Sequence, residues 1–166
     1  MHTPELVAEL SQACVSSVER SLQVELDYSQ ETLPFVDHYA RLESNPSEEI
    51  FSLLAPMVGA YFGEVVRKRA EAGVWEISDD HAEWRLHFPE INMSFNPIGV
   101  AAECILQKDV PGWGAHVQVQ KRDEEVVRSA LNIYGDVRLN DYYTLPIRYE
   151  AIEQAYSALQ AIREPG

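Results

Sequence analysis

The sequence predicts a single α+β domain over residues 1–166, in which a small antiparallel sheet of about residues 74–95 packs against several helices, one of them long and central. Three observations lead there. Asn45-Pro46-Ser47-Glu48 opens an apolar helical stretch that runs to Arg67-Lys68-Arg69 and stops at Gly73. Residues 74–95 then alternate apolar and polar side chains in short runs separated by turn residues. With 166 residues, 46% of them hydrophobic, the chain suits one globular core and is too apolar for a disordered segment.

The elements follow in order. Leu6, Val7, Leu10, Cys14, Val18 and Leu22 recur at helical spacing, which predicts an amphipathic helix over 4–22 with Pro4 in its first turn. Gln23 to Asp27 reads as a short extended piece. A second helix is capped by Thr32, so that Pro34 falls in the first turn, where a missing N–H is tolerated. It turns Leu33, Val36, Tyr39 and Ala40 inward and ends near Leu42. The central helix starts with Asn45 as cap, Pro46 at the first position and Glu48 closing a capping box. Ile50, Phe51, Leu53, Leu54, Met57, Val58, Tyr61, Phe62, Val65 and Val66 cover more than one face, so it is buried on several sides. Pro56 predicts a kink, the basic triplet complements the negative end of the helix dipole, and Gly73 supplies a left-handed stop.

Strands are expected at Val74–Ser78, Ala82–Phe88 and around Ile91, Met93 and Phe95. Asp79-Asp80-His81 makes the first turn. Trp84, Leu86 and Phe88 face the core, while Glu83, Arg85 and His87 face water. Asn96-Pro97 repeats the helix start and leads into Ile98–Gln107. Asp109 to Gly114 is a loop by its Pro and Gly content, and Val117 and Val119 mark a short edge strand. A helix over Asp123–Tyr134 ends at Gly135. The last helix begins near Pro146 and buries Ile147, Ala151, Ile152, Ala155, Leu159 and Ile162.

The formal charge is −14, from 27 acids and 13 bases, and residues 1–50 hold ten acids against Arg20 and Arg41. Such a surface repels phosphate backbones and anionic lipid, so neither nucleic acid nor a membrane is an expected partner. Solubility alone accounts for the charge; a docking face for a basic protein is the second account. Cys14 and Cys104 fall among apolar residues and read as free buried thiols. Glu5 and Glu9 stand where a signal peptide carries positive charge, and no apolar run approaches about 18 residues, so a cytoplasmic location is expected.

No His-x-x-x-His or Cys-x-x-Cys spacing is present, and Asp79-Asp80-His81 reads as a turn, so no metal site is assigned. No nucleophile elbow, phosphate loop or dinucleotide fingerprint is present, so no catalytic residue and no cofactor are assigned. Gly59-x-x-x-Gly63, within the central helix, predicts a close crossing with another element. Glu64 is the ionisable residue of most interest. It either pairs with Lys68 one turn on, along an exposed stripe, or is the buried carboxylate of a ligand pocket with Tyr61 beside it. Trp113, in Pro-Gly-Trp-Gly, either plugs the core or stands exposed, as a partner anchor or at the mouth of that pocket. Tyr142-Tyr143 either line a pocket or cap the core edge.

Leu26-Asp27-Tyr28-Ser29 with Leu33 and Val36-Asp37, then Gly59-x-Tyr61-x-Gly63-Glu64-Val65, Trp75 and the Asn96-Pro97 start, resembles uncharacterised bacterial families described only as domains of unknown function. The resemblance covers roughly residues 24–107. It implies a bacterial α+β domain and transfers no catalytic residue. Two function classes stand open. One is a non-enzymatic binding or regulatory protein, for instance an immunity-like antagonist of a basic protein. The other is an enzyme or small-ligand protein with its pocket at Glu64 and Tyr61.

Overall fold

A helix with apolar residues on more than one face must be covered on several sides, and the fold is arranged to do this. The computed structural model describes residues 3–132 and 142–163. Among them the helices are α1 (Glu5–Leu22), α2 (Leu33–Ala40), α3 (Glu48–Ala70), α4 (Pro97–Leu106), α5 (Glu124–Leu131) and α6 (Leu145–Arg163). The strands are β1 (Val74–Glu76), β2 (Arg85–Phe88), β3 (Met93–Phe95) and β4 (Gln118–Val119). The α+β class and the long central helix are as the sequence predicts. By length and composition α3 is apolar enough to cross a membrane, yet its stretch from Ala55 to Val66 is buried in the protein apart from half-buried Met57.

The four strands form an antiparallel meander in the order β1-β2-β3-β4. Trp75 faces Leu86, Leu86 faces Phe95, and Met93 faces Val119 across the ladders. Because side chains alternate along a strand, this register puts Trp75, Leu86, Phe88, Met93 and Phe95 together on the buried face. The edge strand expected at Val117 and Val119 is β4. The second strand starts at Arg85 and not at Ala82. Asp80 accepts a hydrogen bond from the Ala82 N–H at 2.9 Å and starts a short 3-10 turn over His81–Glu83 instead. Asp80 of this turn thus serves the backbone.

Glycines set how closely α3 is covered. A Cβ on Gly59 would lie 2.5 Å from the Ile98 Cα of α4, and one on Gly63 would collide with the Trp75 ring of β1. The predicted close crossing is therefore two crossings, helix on helix and helix on sheet.

The helix ends differ from expectation. Ser47 caps α3, its hydroxyl accepting from the Ile50 N–H at 3.2 Å, while Asn45 sits at φ +53° as a turn residue. Asn tolerates the left-handed region, so the Asn-Pro pair turns the chain one step before the cap. The left-handed stop falls on Glu71 (φ +53°), and Gly73 (φ +118°) bends the chain into β1. α3 continues through Pro56. Asn96 does cap α4, accepting from the Ile98 N–H at 2.9 Å. Buried Asp37 of α2 accepts from the Leu145 N–H at 2.9 Å and so holds the start of α6. Ile162, expected inside, is exposed. Tyr134 and Gly135, the expected end of the fifth helix, lie outside the described residues. Cys14 and Cys104 are buried and unpaired, and burial pushes both thiols up to about 12.

Candidate functional site

Gly63 lets the Trp75 ring lie against α3, and Glu64 beside it turns inward to meet that ring. The Trp75 Nε1–H donates to Glu64 Oε2 at 2.9 Å. Arg67 donates from Nε to Oε2 at 2.7 Å and from Nη2 to Oε1 at 3.2 Å, and Thr3 donates its hydroxyl to Oε1. Arg67 Nη2 also reaches Thr3 Oγ1 at 2.7 Å, closing the ring of contacts. Burial would raise the Glu64 carboxyl, but the hydrogen bonds from Arg67, Thr3 and Trp75, with the Arg67 charge, hold it below the usual carboxylate range. The expected partner Lys68 lies instead over the Tyr28 ring, 5.2 Å from its centroid.

Tyr61 belongs to a separate network. Its hydroxyl accepts from the Tyr28 N–H at 2.9 Å and shares a hydrogen bond with Thr32 Oγ1 at 2.7 Å, and its ring stacks on Tyr28. Burial pushes it up to about 12, against the pull of those hydrogen bonds. Trp113 is half-buried with its ring edge-on to Phe51, 6.0 Å between centroids. Phe51 lies thirteen residues before Glu64 on α3, about 20 Å along the helix axis. The three residues singled out in the sequence therefore do not converge. None of them lines the surface cavity of about 310 Å³ between α3 and α6, which is walled by Val66, Arg69, Tyr149, Ile152, Glu153 and Tyr156 among others.

A second polar cluster escaped the sequence reading. Glu103 is buried on α4 and takes the Arg148 Nη1–H of α6 at 2.7 Å on Oε1 and the Val110 N–H at 3.0 Å on Oε2. Arg148 also donates to the Ala115 carbonyl at 3.4 Å and lies over the Tyr142 ring. The loop after α4 brings Asp109 and His116 to the solvent side of this pair. His116 Nε2 is 3.8 Å from Glu103 Oε1 and 3.7 Å from Asp109 Oδ1. Tyr143 donates its hydroxyl to Asp109 Oδ1 at 2.9 Å, and the Tyr142 hydroxyl lies 3.4 Å from His116 Nδ1. Burial and the Asp109 carboxylate push Tyr143 up to about 12. One signal was legible: Glu103 is the lone charged residue of the apolar α4 segment. A buried carboxylate there requires a cation or donors, but no local spacing points to Arg148.

The buried acids among the described residues are Asp37, Glu64, Glu103 and Asp123, and each holds one arginine: Arg41, Arg67, Arg148 and Arg163. The net charge therefore falls on the remaining residues. Of the acids in residues 1–50, all but Asp37 are exposed. No protein-family model matches the chain, and no curated protein or solved structure matches it.

Proposed function

We propose that the protein is a non-enzymatic binding protein whose acidic N-terminal third docks a basic protein partner. One observation carries this reading. Asp37 draws Arg41 onto itself, which leaves the exposed acids from Glu5 to Glu49 opposed by Arg20 alone in that third of the sequence. Apolar groups for a desolvated contact stand in the same region. Ile50 and Leu53, the latter 71% exposed, lie on the first turns of α3 beside Glu48 and Glu49, with Leu42 exposed just before them. Interfaces combine such apolar centres with a charged rim that steers the approach. With the resemblance to bacterial families, the concrete form is an immunity-like antagonist of a basic bacterial protein.

The competing reading, a ligand pocket at Glu64 and Tyr61, has the hydrogen bonding against it. Both Glu64 oxygens are taken, and the Tyr61 hydroxyl is held by Tyr28 and Thr32. The test is a pull-down from the native cell at low and high salt. Wild type is compared with a Glu43→Lys/Glu48→Lys/Glu49→Lys variant and with an Asp79→Lys/Asp80→Lys control. A basic partner that is retained at low salt, released as salt screens the charges and lost only in the first variant is the expected result. No partner at any salt, or a partner indifferent to the first variant, overturns it.

A further inference from the structure

We propose that Glu103, Asp109 and His116 form a divalent metal site of the zinc or cobalt type, independent of the acidic docking face. Their ligand atoms, two carboxylate oxygens and one imidazole nitrogen, all lie within 4.8 Å of one another. The sequence assigned no metal here because the three residues sit six and seven apart, on a helix and in a loop, outside any recognised spacing.

The geometry fits a shared cation better than a hydrogen-bonded triad. His116 Nε2 lies 3.7 Å from one carboxylate oxygen and 3.8 Å from the other, beyond hydrogen-bond reach of both. Zinc binds such atoms at about 2.0–2.1 Å, which sets tetrahedral ligands about 3.4 Å apart. Closing the two gaps to His116 Nε2 takes a few tenths of an ångström, and drawing the two carboxylate oxygens together from within 4.8 Å takes at most about 1.4 Å. His116 and Asp109, with side chains 57% and 67% exposed, are free to supply that movement, while buried Glu103 is the fixed point.

Each ligand also has an outer partner of the kind that orients metal ligands. Glu103 is anchored by Arg148 and the Val110 N–H. Asp109 Oδ1 accepts from the Tyr143 hydroxyl. The Tyr142 hydroxyl faces His116 Nδ1, so that Nε2 is the nitrogen presented to the carboxylates. Arg148 cancels one of the two carboxylate charges, which disfavours calcium and magnesium, ions that rely on many anionic oxygens. The imidazole nitrogen favours zinc and cobalt. Three protein ligands leave a further position to water on the exposed side.

The experiment uses the full chain without an affinity tag, stripped with a chelator. It is titrated with Zn²⁺ by calorimetry and with Co²⁺ by visible absorption. One equivalent is expected to bind, with Co²⁺ giving the ligand-field bands of a low-coordinate site. Affinity falls by about tenfold or more in His116→Ala and in Asp109→Asn, and stays unchanged in His38→Ala, an exposed imidazole elsewhere. Circular dichroism confirms that each variant is folded. Absence of binding into the millimolar range, or binding undiminished by both ligand variants, overturns the proposal.

Discussion

Two buried glutamate–arginine pairs are made of the same groups in different settings. Glu64 and Arg67 lie three residues apart on α3, and Thr3 and Trp75 complete a closed ring of donors around the carboxylate. Glu103 and Arg148 lie 45 residues apart, on α4 and α6, and their pairing joins two helices. One edge of this second pair opens through His116 and Asp109 to solvent. The arginines differ too: the Arg148 side chain is 3% exposed and that of Arg67 is 15% exposed. A local pair neutralises a charge and leaves nothing over. A pair drawn from distant elements also fixes where a loop with ligating side chains comes to rest.

The largest effect is expected at the more deeply buried of the two guanidinium groups, that of Arg148. Glu103→Gln leaves Arg148 charged and buried, and breaking such a pair from one side costs about 3–5 kcal/mol. Urea denaturation measures it. Glu103→Leu combined with Arg148→Met should recover most of the loss, since removing both charges also removes the desolvation penalty. A loss in Glu103→Gln too small to detect would show that Arg148 finds water in the folded state.

Glu64→Gln should cost less, about 2–3 kcal/mol. Gln still accepts from the Trp75 indole, and Arg67 has a partly open path to solvent. If Glu64→Gln proved the more damaging change, the contrast between closed local pair and open distant pair would be reversed. Gly63→Ala probes the wall of the same network, because the new methyl would press on the Trp75 ring that donates to Glu64. Overpacking of this kind costs about 1–3 kcal/mol, and a shift in tryptophan fluorescence should accompany it.

The same contrast explains what the sequence discloses. Glu64 stood out because its neighbours Phe62, Gly63, Val65 and Val66 are apolar or small, and its true partner Arg67 is on the same turn. Local periodicity also disclosed α1, α3 and the alternation of the sheet, since each is a pattern within one segment. The misplaced α3 cap and stop, Ser47 for Asn45 and Glu71 for Gly73, are shifts of two residues within correct elements. Glu103 carried the same signal as Glu64, a lone acid in apolar company, but its partner lies beyond the loop and in another helix. Long-range pairing is set by how helices pack, and no spacing rule encodes that.

Acid titration separates the closed pair from the rest of the molecule. The folded Glu64 carboxyl is held below its ordinary value. Its contribution is therefore fully present above the unfolded value of about 4.3 and is lost as pH falls through the folded one. The stability gap between wild type and Glu64→Gln should stay constant from neutral pH to mildly acidic pH, then narrow below about pH 4. A gap that persists unchanged into strong acid would mean that the carboxylate charge is not what the ring of donors stabilises.

The smallest effect is expected at the open edge of the distant pair. His116 is mostly exposed, and its contacts to Glu103 and Asp109 are longer than hydrogen bonds. Surface substitutions away from buried features usually change stability by no more than about 0.5 kcal/mol. His116→Ala should fall in that range in chelator-treated protein, where Glu103→Gln, one contact away, is severe. The difference between two touching residues would locate the boundary between the part of this cluster that holds α4 to α6 and the part left over for a ligand. If His116→Ala instead destabilised the protein by more than about 1 kcal/mol without metal, the imidazole would belong to the structural pair. The loop would then be one more clasp between helices, and the two glutamate–arginine pairs would be alike after all.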